Sequence, residues 1–111
     1  MSYTGNAALS NGGYDLLSAS IAAAANTVVI ASVAGRRIRV YAIKLVADTQ
    51  ATTRWTDTAL SNLEGTQVIP GTGGYAESVD PPSFLFSPPI GTGLRIVTDA
   101  VVGGRVSYWI E

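Results

Sequence analysis

Arg36-Arg-Ile-Arg-Val-Tyr-Ala-Ile-Lys-Leu-Val-Ala47 is the stretch that decides the fold. Its apolar residues recur at the two-residue period of a β-strand, in two phases. Ile38 and Val40 share one face with Ala42, whereas Ile43 and Leu45 fall on the other. A phase change of this kind arises from a β-bulge or from a strand buried on both faces, and both readings stand.

Working outward, Thr27 to Val33 is a β-branched run that turns at Ala34-Gly35, and Ala51 to Thr56 reads as a polar strand carrying Trp55. Short strands are expected at Thr66 to Ile69 and Tyr75 to Val79. Phe84-Leu85-Phe86 lies between Pro81-Pro82 and Pro88-Pro89, which confines it to an edge or a very short pairing, because proline cannot donate to a ladder. Leu94 and Ile96 alternate with Arg95 and Val97. Val106, Tyr108 and Ile110 alternate with Arg105, Ser107, Trp109 and Glu111, and Gly103-Gly104 is the expected turn that would make these last two runs antiparallel neighbours.

The beginning of the chain reads differently. Residues 2 to 13 contain three glycines and no sustained apolar pattern, which suits an extended arm anchored by Tyr3 and Leu9. Asp15 could cap a short helix, yet Leu17, Ala19, Ile21 and Ala23 alternate as a strand does, and an extended segment is the expectation. The sum is about seven to nine short strands in about 85 residues, the spacing of a sandwich or jelly roll. The expected architecture is therefore a flexible arm over 1–14 followed by one all-β, antiparallel, jelly-roll-like sandwich over 15–111.

A chain of 111 residues fits one domain, and folding at this size buries roughly 65% of the extended-chain surface. Without cysteine, neither disulfides nor thiolate metal sites can supplement the core, so further stability comes from packing or from association. Charged residues are 14% of the chain, against about 25% in a typical soluble domain. Such depletion suits a surface covered by partners, although a weakly charged monomer is an equally open reading. With a formal net charge of −1 there is no electrostatic footprint for nucleic acid or an anionic membrane, and neither is an expected partner. The Ala-rich stretch from Ala19 to Ala25 has no basic region before it and is too short to span a bilayer, so a soluble chain starting near Met1 is expected.

Histidine, the usual general base near neutral pH, is absent. A carboxylate pair could in principle be drawn from the eight acidic residues, but these sit at strand ends and turns, and an enzyme is not expected. No cofactor and no metal are expected either. Asp57, Asp80 and Asp99 would hold calcium only if folding gathered them, and otherwise they are turn aspartates. Gly71-Thr-Gly73-Gly74 and Gly91-Thr-Gly93 lack the Lys-Ser/Thr of a phosphate loop and read as turns.

The residues that remain as contact candidates are basic and aromatic. On a strand Arg37 and Arg39 point the same way, either as a solvated face or as a dock for an acidic partner. Tyr108 shares a face with Val106 and Ile110 and reads as core. Trp109 is on the opposite face, and an outward tryptophan suggests a subunit or sugar contact unless both faces of the sheet are covered. The candidate partner-binding set is Tyr3, Leu9, Arg37, Arg39, Trp55 and Trp109.

Val33-Ala-Gly-Arg-Arg-Ile-Arg-Val40 with Tyr-Ala-Ile-Lys-Leu-Val-Ala47, then Gly91-Thr-Gly-Leu-Arg-Ile and Val102-Gly-Gly-Arg-Val-Ser-Tyr108, resembles small virion proteins of tailed bacteriophages. These are capsid decoration or cement proteins and related head-fibre modules, and the likeness runs over about residues 27 to 111. The resemblance implies a non-enzymatic, jelly-roll-like protein, commonly trimeric, that sits on the virion surface and braces contacts of the major coat protein. It carries over no single functional residue. A receptor- or carbohydrate-binding module of a tail fibre or tailspike, motivated by Trp55 and Trp109, is the alternative.

Overall fold

A computed structural model describes residues 15–111; residues 1–14, over which an arm was expected, with Tyr3 and Leu9, lie outside the described residues. The described chain forms eight strands: β1 (Leu17–Ala23), β2 (Thr27–Ile30), β3 (Ile38–Ala47), β4 (Ala51–Asp57), β5 (Gln67–Ile69), β6 (Gly73–Ser78), β7 (Leu94–Thr98) and β8 (Val102–Ile110). They make two antiparallel four-stranded sheets, in the order β1-β8-β3-β6 and β2-β7-β4-β5, which pack as a sandwich.

The pairing is nested. The first strand lies beside the last, the second beside the seventh, the third beside the sixth and the fourth beside the fifth. The chain thus doubles back on itself between β4 and β5, and the doubled ribbon is wrapped into two layers. That order is compatible with the jelly-roll-like wrapping expected from the sequence.

The phase change in the decisive stretch is a bulge. β3 pairs with β8 through Ile38, Arg39 and Val40, and the register then shifts between Val40 and Ala42. The shift lets Ile38, Val40, Ile43 and Leu45 all reach the interior, where each is buried, despite falling on two phases of a simple alternation. They meet Ile30, Trp55, Ile69, Leu94 and Ile96 from the other sheet. Phe86 enters the same core through a single bridge to Val40, the short edge pairing that its flanking prolines permit.

One expectation is corrected. Gly103 and Gly104 do not form a turn; both lie inside β8, the strand between β1 and β3. β7 and β8 belong to different sheets, joined by a corner at 99–101 where Asp99 accepts a hydrogen bond from the Thr52 amide at 2.7 Å. Gly104 is needed for close approach. Its φ is +144°, and a Cβ there would overlap the Lys44 carbonyl oxygen on β3.

Candidate functional site

The outward surface of the first sheet is built by three cross-strand rows whose members are direct register partners. Ser18, Ser107, Ala42 and Ser78 form the first, and Ser20, Arg105, Lys44 and Ala76 the second. Ala22, Gly103, Val46 and Gly74 form the third. Residues alternating with these, such as Ile21, Ile43, Leu45 and Val106, are buried, so this set faces out as strand geometry requires. Its side chains are short, except for Val46 and two adjacent cations. A shallow depression of about 420 Å³ lies over the middle of the sheet, lined by Ala42, Lys44, Ala76, Ser78, Arg105 and Ser107 together with Ile43 and Glu77.

The sequence-derived candidates are placed elsewhere. Trp55 faces the other sheet, has no exposed surface, and stacks at a tilt on Phe86 with ring centroids 5.9 Å apart. Trp109 occupies the outward phase of β8 as expected, yet is only 2% exposed and lies 5.9 Å from the Tyr41 ring. Both tryptophans as presented contact residues are thus corrected: the sandwich core covers one, and the second face at the Trp109 end is covered too.

Arg39 is also engaged within the chain. Its Nε donates to Glu111 Oε2 at 2.8 Å, and its guanidinium stacks 4.2 Å above the Phe84 ring. Arg36 donates to the Glu111 backbone carbonyl at 2.9 Å. The Arg37 backbone exchanges two hydrogen bonds with Glu111. Arg36 and Arg39 thus engage the end of β8 through their side chains and Arg37 through its backbone, and the acidic partner of Arg39 is Glu111 itself. Register pairing of Arg39 with Trp109 was out of reach of sequence, since strand order was unreadable there.

The aspartates behave as turn residues. The buried Asp57 carboxylate accepts the Ala59 and Ser61 amides at 2.8 and 2.9 Å, ending β4. Among the described residues no group of three or more His, Cys, Asp or Glu is placed to hold a metal ion, and no helix is long and apolar enough to cross a membrane.

A polar cluster that sequence reasoning missed links the sheet edges at β5 and β6. Gln67 Nε2 donates to Glu64 Oε1 at 2.9 Å and to the Tyr75 hydroxyl at 2.7 Å, and that hydroxyl donates to Glu77 Oε1 at 2.6 Å. Only the strand-like alternation of Tyr75 and Glu77 hinted at it. Partial burial, with the Glu77 carboxylate nearby, pushes the Glu64 carboxyl up from its ordinary value. Burial and the bond to Glu77 push the Tyr75 hydroxyl up to about 12, so it stays a donor at neutral pH.

A raised folded-state pKa means that the protonated Glu64 is favoured by folding. Its contribution to stability is full below the unfolded value near 4.5 and is lost as pH rises through the folded value. Thermal unfolding across this window should show a melting temperature that falls with rising pH, and Glu64→Gln should flatten that fall. A variant whose pH profile parallels the parent's would contradict the assignment.

No family model matches this chain, and no curated protein matches it. Among solved structures it is similar to a chain from "Bacillus endospore appendages form a novel family of disulfide-linked pili", at 15% identity and a TM-score of 0.46, over 99% of this chain and 96% of that one. It is also similar to the chain in "Crystal structure of PirA", at 7% identity and a TM-score of 0.29, over 88% and 93%. At these levels neither similarity assigns a function to this chain.

Proposed function

We propose that this chain is a non-catalytic structural protein of a phage virion, a capsid decoration or cement protein that associates, as a trimer, with assembled coat protein. The observation that carries the reading is the outward surface of the first sheet. Short Ser, Ala and Gly side chains across four strands let another backbone come close, with little side-chain entropy to lose and few charges to desolvate. Exposed apolar residues elsewhere, Val68 at 59%, Ile90 at 56% and Val101 at 67%, add surface that association would cover. The low charge density and the sequence resemblance support the same reading. The glycan- or receptor-binding alternative rested on presented tryptophans; with both buried, it loses its motivation.

Light scattering at micromolar concentration should give about three times the 11.5 kDa chain mass. Co-sedimentation with tailed-phage capsids stripped of decoration protein should recover the chain in the pellet. Ala76→Tyr, which places a bulky uncharged side chain on the exposed surface without touching the core, should abolish the contact while leaving the melting temperature within a few degrees. A strictly monomeric chain with no capsid affinity would sink the proposal.

A further inference from the structure

Lys44 and Arg105 are direct register partners on neighbouring central strands, and both are exposed. Like charges placed opposite one another on a sheet face repel. Among the described residues no ion pair relieves this. The Arg105 Nη1 leans away to donate to Ser18 Oγ at 2.9 Å, and among the described residues the one ion pair is Arg39 with Glu111. None of the outward residues in the surrounding rows is acidic. Glu77 lies next to Ala76 on β6, but strand alternation turns its carboxylate to the other side, where it accepts from Tyr75.

We infer that the Lys44–Arg105 pair, set in the depression of the first sheet, is the docking point for an acidic segment of a partner protein, two cations meeting one or two carboxylates. This rests on the reading of that surface as the contact face and names its partner's chemistry. Charge complementarity argues for the occupant: a carboxylate set between the cations removes their repulsion and gains charge-assisted hydrogen bonds. The short neighbours Ala42, Ala76 and Ser107 leave room for a chain to lie in the depression. A nucleic acid backbone fits less well, because two adjacent cations cannot follow a row of phosphates, and Arg54 and Arg95 sit on the other sheet bonded to Asn62 and Asn26.

The test is amide NMR of the isotope-labelled chain titrated with a synthetic peptide of alternating Ala and Glu. Its Ala and Gln counterpart and a short DNA duplex serve as the other arms. The Glu peptide should shift amides of β3 and β8 around Lys44 and Arg105. It should bind about tenfold more weakly to the Lys44→Gln, Arg105→Gln double variant, and more weakly as salt rises from about 50 to about 500 mM. Equal binding of the Gln peptide, undiminished binding by the double variant, or tighter binding of DNA would overturn the inference. So would a salt-sensitive self-association of the chain that the double variant loses, which would give the surface to a second copy. Light scattering on the same samples separates this from the assembly reading. A monomer that binds the Glu peptide at this pair keeps the acidic site and removes the trimer, and a trimer indifferent to the peptide does the reverse.

Discussion

Trp55→Ala is expected to cost about 3–5 kcal/mol of folding stability, the range for truncating a fully buried large aromatic. The side chain has no exposed surface, is tilted against Phe86, and lies on the β4 face directed at the opposite sheet. Thr53 and Ala51, the inward neighbours two and four residues back on the same strand, are too small to fill the space it would vacate. The backbone around it is fixed by pairing with Ile96 on β7, so collapse into the cavity is limited. Urea unfolding followed by far-ultraviolet circular dichroism measures the loss, and Trp55→Phe, which keeps a ring in the core, should recover more than half of it. An unfolding free energy within about 0.5 kcal/mol of the parent's, the usual range for surface substitutions, would mean that Trp55 is not the core residue described.

Gly104→Ala should be about as damaging although it adds a single methyl group. Gly104 lies in the interior of β8, between Ile21 on β1 and Leu45 on β3. Its φ of +144° is one that residues with a Cβ rarely adopt, and the added carbon would overlap the Lys44 carbonyl oxygen and come within 3.1 Å of the Leu45 Cα. Backbone strain and forced separation of two central strands together cost about 3 kcal/mol or more. For a domain of this size that corresponds to a fall of roughly 12 °C or more in melting temperature. Gly65→Ala is the control: no atom lies within 4 Å of the added carbon, and its melting temperature should stay close to the parent's. A Gly104→Ala protein as stable as the control would remove the close crossing from the account.

The two predictions share a lesson about what a sequence signal contains. Gly103-Gly104 reads as a turn because the need for a Cβ-free residue is the same whether the chain reverses or a neighbouring strand passes too close. The second cause is the Lys44 carbonyl, distant in sequence, and no local pattern reports it. Trp109 is similar: alternation correctly gave its phase on β8, but what covers a phase is a property of other segments. The Arg36 to Arg39 cluster was visible as a charge run, whereas its engagement by Glu111 depended on β3 and β8 being neighbours.

By itself the sequence determined the all-β class, most of the strand positions, the absence of histidine and cysteine chemistry, and the irregularity in Arg36 to Ala47. These follow from local periodicity and composition, which act within a few residues. Only the tertiary structure decided that the irregularity is a bulge, that both tryptophans are interior, and that Lys44 and Arg105 stand side by side on a surface of short side chains. The physical reason is that strand pairing is non-local. The nested order puts partners from opposite halves of the chain into register, and the contact surface is written across four strands at once.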